Sequence, residues 1–244
     1  MARFFIAGTN IRGGTAIMKG RDAEHAHVLR IRPGEDVILC DGEGKDYKCR
    51  VVKADKEEVE AEVVEVIPCK SEPSVSTTVY CGLPKGSDKT DYIIQKSVEA
   101  GACEICFFIS NRCVAKAENI EKKTERWQRI AEEAAKQSGR GIIPKVEYIG
   151  DFTAMLDSAI KKDLPLFMYE TGERESLNEV LSANAAAGTV GIITGPEGGF
   201  AEFEAKLAKI AGFHVCSMGE RILRCETAPV VALTAVMFAT GNLA

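Results

Sequence analysis

Two segments near the C-terminal end of the chain carry residues suited to binding and to proton or charge chemistry. In ITGPEGGF, residues 193–200, three glycines surround a single carboxylate, Glu197. In SMGERILRCETAP, residues 217–229, Arg224 and Glu226 flank Cys225. An arginine can stabilise negative charge at neutral pH, and a carboxylate can accept a proton. So many functional groups indicate a ligand site, although a surface loop with an Arg224–Glu226 ion pair is the alternative.

The glycine turn does not match the loops that bind nucleotide phosphates. A Walker A loop continues with Lys and Ser or Thr, whereas Phe200 follows Gly199 here, and the G-x-G-x-x-G pattern does not fit either. The carboxylate of Glu197 would also repel a phosphate. We therefore expect a ligand that approaches the backbone closely without a phosphate clamp, and Ile222 and Leu223 offer a slot for a flat ring.

The elements around these loops predict an α/β domain. From Val75 onwards, strand patterns such as STTVYCGL and TVGIITG alternate with helical ones, which is typical of a parallel sheet covered by helices. In such sheets ligands bind beyond the carboxyl ends of the strands. We expect three strand-end loops to converge there, namely residues 164–174 (LPLFMYETGER) and the two segments described above.

The first part of the chain has a different pattern. Residues 1–70 contain short strand-like runs and one short helix, around residues 23–29, which predicts a small β-barrel. The stretch PCKSEPS, residues 68–74, resembles a linker. The predicted domains are therefore residues 1–70 and residues 75–244.

Charge is unevenly distributed along the chain. The net charge of the 244 residues is −5, but residues 1–34 hold six Lys and Arg residues against two acidic ones. A basic cluster of this kind can bind nucleic-acid phosphates even in an acidic protein, and a solvated surface is an equally good interpretation.

Other classes of protein are disfavoured. No apolar run approaches the roughly 18 residues of a membrane span, and MARFFIAGTN lacks the apolar core of a signal peptide. We therefore expect a cytoplasmic protein whose nine cysteines are reduced. Cys103 and Cys106 form the one C-x-x-C pair, and we expect core thiols there and no metal site.

The C-terminal motifs resemble a known family. ITGPEGGF followed by MGERILRCETAPVVAL is similar to the signature of SPOUT-class methyltransferases, and more narrowly to the family that methylates N3 of a uridine in 16S ribosomal RNA. Residues 84–101 (PKGSDKTDYIIQKSVEAG), 126–140 (RWQRIAEEAAKQSGR) and 25–35 (HAHVLRIRPGE) resemble that family too. Cys225 departs from the family's threonine, and Ala100 from its common leucine.

The resemblance implies an N-terminal PUA-like β-barrel and a C-terminal α/β domain tied into a trefoil knot. It implies S-adenosylmethionine as cofactor, the small ribosomal subunit as partner, and a homodimer formed through the knotted domain. The residues implied for cofactor binding are Leu166, Tyr169, Glu170, Thr194, Gly195, Glu197, Gly198, Gly199, Met218, Gly219, Ile222 and Leu223. Arg224 and Glu226 are the catalytic candidates.

RNA contact is expected from basic residues of both domains. The candidates are Arg3, Arg12, Arg21, Arg30, Arg32, Lys85, Lys89 and Arg140. Two roles remain open for Glu197, which would lie beside the cofactor or accept backbone N–H bonds that hold the loop. A related methyltransferase acting on tRNA or 23S RNA, and a non-catalytic ribosome-assembly factor that binds RNA, are the alternative functions.

Overall fold

A computed structural model of the chain describes residues 1–6 and 10–243. The chain divides into two compact units. The first consists of Met1–Glu72 with Ala135–Ile143, and the second of Pro73–Ala134 with Pro144–Ala244. Residues 135–143 therefore belong with the N-terminal unit, although they lie far along the sequence from it.

The N-terminal unit is built on one six-stranded sheet with the order β1-β4-β5-β6-β3-β2. Its elements are β1 (Ala2–Phe5), β2 (Ile11–Arg12), β3 (Thr15–Lys19), α1 (Arg21–Val28), β4 (Asp36–Cys40), β5 (Lys45–Ala54) and β6 (Glu58–Pro68). The strands pair antiparallel except for β1 and β4, which are parallel. Alternate residues such as Val59 and Ala61 are buried, because successive side chains of a strand point to opposite faces.

Residues 135–143 join this unit through a buried ion pair. The Arg140 guanidinium donates to the Glu72 carboxylate at 2.6 Å, and the same carboxylate accepts the backbone N–H groups of Gly141 and Ile142 at 2.7 and 3.1 Å. Arg140 is only 2% exposed. A buried charge is tolerated when it is paired and hydrogen-bonded, so this contact fixes the segment to the unit.

The C-terminal unit contains a seven-stranded sheet with the order β11-β13-β10-β12-β7-β8-β9. Its strands are β7 (Ser76–Gly82), β8 (Glu104–Ile109), β9 (Lys145–Asp151), β10 (Leu164–Met168), β11 (Glu175–Ser176), β12 (Thr189–Thr194) and β13 (His214–Ser217). All of these pairings are parallel, as the alternating pattern predicts. Every residue of β10 is buried, which is typical of a central parallel strand.

In the described residues five helices connect these strands, and a sixth follows the last strand. They are α2 (Ser87–Glu99), α3 (Ile120–Ser138), α4 (Phe152–Ala159), α5 (Leu177–Ala183), α6 (Glu202–Ile210) and α7 (Ala228–Ala239). Leu233 and Val236 of α7 are buried, whereas Val231 and Phe238 are 40% and 75% exposed. The apolar α7 therefore buries one face inside its own unit and leaves another uncovered. None of the helices in the described ranges combines the length and the apolar character that a membrane crossing requires.

An aromatic cluster anchors the site-bearing loops to the core. Phe200, directly after the glycine turn, is 1% exposed, and its ring centroid lies 4.3 Å from that of Phe167 on β10. Phe108 and Phe152 complete the cluster. Trp127 is also buried, with its ring centroid 4.7 Å from that of Phe107, and it therefore packs in the core.

Candidate functional site

Three loops meet at the carboxyl edge of the C-terminal sheet and enclose a cavity of about 330 Å³. They follow β10, β12 and β13, which lie side by side in the order β13-β10-β12. Parallel strands end at the same edge, so loops that are distant in sequence converge there. Lys89 of α2 also lines the cavity. These are the three loops that the sequence patterns predict.

Most of the predicted cofactor-binding residues line this cavity, and so do Arg224 and Glu226. Leu166 and Gly198 do not. Leu166 lies in the middle of β10 with no exposed surface, so it supports the cavity from the core. The side chain missing at Gly198 would lie 3.1 Å from the Cβ of Arg112, and Arg112 donates to the Gly198 carbonyl at 3.2 Å. The close approach at Gly198 therefore serves a protein side chain.

The glycine turn is also packed tightly against protein on its other sides. A Cβ on Gly82, at the end of β7, would lie 2.5 Å from Cδ and 2.7 Å from the nitrogen of Pro196. Gly199 has a φ of +62°, which favours glycine, and a Cβ there would overlap the Glu170 carboxylate. Nothing in the sequence pattern marks Gly82 as part of the site, because its importance lies in one contact with a distant loop.

Glu197 links the glycine turn to the start of α2. Its Oε1 accepts the Lys85 backbone N–H at 2.9 Å and the Lys89 ammonium at 2.7 Å. Burial alone would raise the pKa of Glu197, but the hydrogen bonds from Lys89 and the backbone outweigh it and lower that pKa. The hydrogen bond from the Lys85 N–H fits the second role left open by the sequence, and because Glu197 also lines the cavity, its place fits the first role as well.

Arg224, Cys225 and Glu226 lie on the cavity wall just before α7. Among the ion pairs of residues 1–6 and 10–243, none joins Arg224 to Glu226; the Glu226 carboxylate instead accepts the Cys225 thiol at 3.2 Å. Burial raises the pKa of Cys225 to about 12, so the thiol stays protonated and donates. Burial also acts to raise the pKa of Glu226, but its backbone N–H, Cys225, Lys89 and Arg224 together lower it. Arg224 is exposed and lines the cavity.

The residues predicted to contact RNA fall into different environments. Arg12, Arg21, Arg30 and Arg32 of the first unit, and Lys85 of the second, are exposed. Arg3 and Arg140 are held in ion pairs inside the first unit, and Lys89 lies on the cavity wall.

Arg3 and Arg140 do not lie on an exposed surface, as the prediction that they contact RNA requires. Arg3 donates to Asp46 at 2.6 and 2.8 Å, and its side chain is 20% exposed. It also donates to the Arg140 carbonyl at 3.1 Å. Both guanidinium groups are paired with carboxylates inside the first unit, where Arg140 is buried and Arg3 is half-buried, so neither is among the exposed cations.

Outside the cavity, one group of potential metal ligands occurs in the described part of the chain. Ligand atoms of Glu104, Cys106 and Glu147 lie within 4.8 Å of one another. Burial raises the pKa of the Cys106 thiol, and Thr78 donates to Glu104 at 3.0 Å. Cys106 is buried, as expected of a core thiol, whereas Cys103 of the same C-x-x-C pair is only half-buried.

Comparison with known proteins identifies the family of both parts of the chain. Residues 70–237 match the family described as RNA methyltransferase domain, and residues 19–64 match the RNA methyltransferase PUA domain. The chain is 34% identical to the ribosomal RNA small subunit methyltransferase E of Bacillus subtilis, covering 100% of this chain and 98% of that protein. It is 30% identical to the protein of the same name from Aquifex aeolicus, covering 93% and 95%.

Comparison with solved structures indicates the same family. The chain is similar to the ribosomal RNA small subunit methyltransferase E of Neisseria gonorrhoeae bound to S-adenosyl methionine, with a TM-score of 0.84, 33% identity and coverage of 98% and 97%. It is also similar to a Legionella pneumophila putative methyltransferase in complex with the same cofactor, with a TM-score of 0.82, 28% identity and 97% coverage of both chains. The chain belongs to the ribosomal RNA small subunit methyltransferase E family.

Proposed function

We propose that this chain methylates N3 of a specific uridine in the 16S RNA of the small ribosomal subunit, using S-adenosylmethionine. The observation that carries the proposal is the cavity at the carboxyl edge of the second sheet, where the three predicted loops converge. Two solved relatives with this fold bind S-adenosylmethionine, and the curated relatives are named for ribosomal RNA methylation.

The residues of the cavity fit this cofactor. Its volume of about 330 Å³ lies within the roughly 300–1,000 Å³ of small-molecule sites. Gly219 lines it, and no atom lies within 4 Å of the place where a Cβ would stand, which leaves a cradle for a ligand. Met218, Ile222 and Leu223 offer an apolar surface for adenine.

The charges of the cavity support the same assignment. Carboxylates and cations line it in equal number: Glu170, Glu197, Glu226, Lys89, Arg221 and Arg224. A ligand carrying a sulfonium, an amine and a carboxylate needs partners of both signs, whereas a phosphate would favour cations alone. When bound, S-adenosylmethionine supplies an electrophilic methyl group.

The chain must help uracil N3 to lose its proton, because the protonated nitrogen is a poor nucleophile. Arg224 stabilises the negative charge that develops on the uracil carbonyl oxygens. Glu226 is the carboxylate available to accept the proton, and its lowered pKa makes it a weak base. Alignment of the reactants supplies much of the acceleration, at the extreme about 7–11 kcal/mol, so a strong base is not required.

RNA contact falls on the exposed cations of both units, namely Arg12, Arg21, Arg30 and Arg32 in the first and Lys85 in the second. We further propose that the six-stranded sheet closes into a PUA-like barrel and that the second unit is tied into a trefoil knot, as the family resemblance implies. A ribosomal substrate also implies that the protein acts in the cytoplasm.

We propose a homodimer formed through the second unit. Phe238 and Val231 of α7 are exposed, and so is Tyr92 (44%) on the neighbouring α2. An exposed apolar face of this kind is typical of a surface that meets a second subunit.

Transfer of labelled methyl tests the proposed function directly. S-adenosylmethionine labelled on the methyl group is offered to small subunits from cells lacking this protein, and the modified nucleoside is identified by mass spectrometry. Label in 3-methyluridine supports the proposal. Label only in tRNA or 23S RNA, offered in parallel, would move the activity to another RNA. RNA binding without cofactor uptake in calorimetry would favour a non-catalytic assembly factor.

A further inference from the structure

Lys89 differs from the other residues of the cavity in its origin and surroundings. It projects from α2, whereas the other lining residues lie between Met168 and Ala228. Its side chain is 34% exposed, and its Nζ lies 2.7 Å from Oε1 of Glu197, whose side chain is 28% exposed. Lys85, four residues earlier, is exposed and does not line the cavity. A general phosphate contact therefore suits Lys85 better than Lys89.

Lys89 is held as a cation. The hydrogen bond to Glu197 is the main cause of its raised pKa, and the nearby Cys225 and Glu226 act in the same direction. A protonated lysine cannot act as a base. It carries three N–H donors, of which the Glu197 bond uses one, so it can donate to a second acceptor.

Glu197 fixes the position of Lys89, because Glu197 is itself held by other contacts. The carboxylate oxygen that accepts from Lys89 also accepts the Lys85 backbone N–H, so it is tied to the segment that begins α2. Its own loop is packed against Gly82 and Arg112. Because Glu197 is held by these contacts, it can keep the Lys89 ammonium in place without reorganisation. Such preorganisation is the condition for effective charge stabilisation.

We propose that Lys89 is a further catalytic residue, whose ammonium group donates to a uracil carbonyl oxygen next to N3, and that Glu197 is its positioning residue. The proposal rests on the proposed function. When N3 loses its proton to Glu226 or to solvent, the electron pair left on nitrogen is shared with the two carbonyl oxygens. The N–C bond would form as the methyl–sulfur bond of the bound cofactor breaks and sulfur keeps that electron pair, which would leave S-adenosylhomocysteine and a neutral N3-methylated uracil. Lys89 and Arg224 stabilise the intervening anion.

The test compares Lys89→Met with two matched lysine controls on methyl transfer to small subunits. Lys85→Met removes an exposed cation near the same turn, and Lys96→Met removes one near the far end of the same helix, where it pairs with Glu99. Removal of one donor to a developing oxyanion typically costs about 10²–10³-fold in kcat. We expect Lys89→Met to lower kcat by about 100-fold with KM little changed. Lys85→Met should raise KM only, and Lys96→Met should change neither.

The pH dependence of the rate distinguishes charge stabilisation from a structural role. An opposite charge within about 4–6 Å shifts a pKa by roughly 1–3 units. Loss of Lys89 should therefore move the rising limb of the rate profile, which reports deprotonation of N3, to higher pH by about one unit. Lys89→Arg, which keeps the charge, should restore part of the rate and the original profile.

The positioning role of Glu197 is tested by asking whether its effect on kcat depends on Lys89. Glu197→Ala should lower kcat, whereas Glu197→Gln, which keeps the acceptor oxygen, should retain more activity. If Glu197 acts through Lys89, adding Glu197→Ala to Lys89→Met should cause little further loss.

Three results would overturn the proposal: normal kcat in Lys89→Met, an unshifted pH profile, or loss confined to cofactor affinity in calorimetry. Circular dichroism checks that each variant is folded. If Lys89→Met is not folded, the kcat and pH profile of Lys89→Arg, Glu197→Ala and Glu197→Gln are compared instead. Wild-type transfer tests the proposed function by itself, so the two hypotheses can fail separately.

Discussion

Replacement of Gly82 by alanine should displace the glycine turn and weaken the cofactor site. The φ angle of Gly82 does not require glycine, so space is the difficulty. An added Cβ would lie 2.5 Å from Cδ and 2.7 Å from N of Pro196, and 3.2 Å from the carbonyl carbon of Gly195. The preferred separation between two carbon atoms in contact is about 3.5–4.0 Å, so the glycine turn must move away from β7 by about 1 Å. Since two of the three atoms are backbone, no rotamer change can relieve the overlap.

Overpacking of this kind typically costs about 1–3 kcal/mol. In a chain of this size, each kcal/mol of destabilisation lowers the unfolding midpoint by about 2–4 °C, so we expect the midpoint to fall by roughly 2–12 °C. The displaced turn carries Glu197 and Gly199, which line the cavity. We therefore expect S-adenosylmethionine affinity to fall by at least about tenfold, or about 1.4 kcal/mol. Thermal unfolding followed by circular dichroism and titration calorimetry measure the two effects.

Gly188→Ala is the matched control, because its Cβ would meet its nearest neighbour, Oδ2 of Asp163, at an ordinary 3.4 Å. It should leave both the unfolding midpoint and the cofactor affinity unchanged. A Gly82→Ala protein with the wild-type midpoint and affinity would refute the packing of Pro196 on β7 described above.

Three further changes test other parts of the structure. Arg224→Ala should leave unfolding and cofactor binding largely intact but lower methyl transfer at least tenfold (about 1.4 kcal/mol), and unchanged turnover would remove Arg224 from the mechanism. Burial acts to raise the pKa of Glu72, but Arg140 and two backbone N–H groups lower it, so its stabilisation is present at neutral pH and lost as pH falls through that lowered pKa. Glu72→Gln should therefore cost about 3–5 kcal/mol in urea unfolding at pH 7 and much less in acid, whereas an equal loss at both pH values would contradict the ion pair. Phe238→Asp should give the monomer mass in light scattering with little change in unfolding midpoint; a persistent dimer would place the interface elsewhere.

The class of the fold was predictable because its signals are local. Alternation of strand and helix patterns after Val75 predicts a parallel sheet, and the second unit has one. The strand-end loops followed from the same reasoning, since parallel strands share a carboxyl edge. The family prediction rested on motifs such as ITGPEGGF and MGERILRCETAP, and the comparisons confirm it.

Individual residues of the site were less predictable. Arg3 and Arg140 looked like the other basic residues of the sequence, and only the fold encloses them beside Asp46 and Glu72. Gly198 looked like a ligand-facing glycine, but its neighbour is Arg112. In each case the partner lies at least 40 residues away in the chain, so no local pattern contains it.

The sequence by itself determined the elements, the family and the loops that form the cavity, because hydrophobic period, turn chemistry and motif are properties of neighbouring residues. Only the tertiary structure decided which atoms share space. The strand order β13-β10-β12-β7 brings Glu197 to Lys89 and Pro196 to Gly82. Those contacts depend on strand neighbours that are remote along the chain, and they determine which charged groups bind the fold together and which face the cavity.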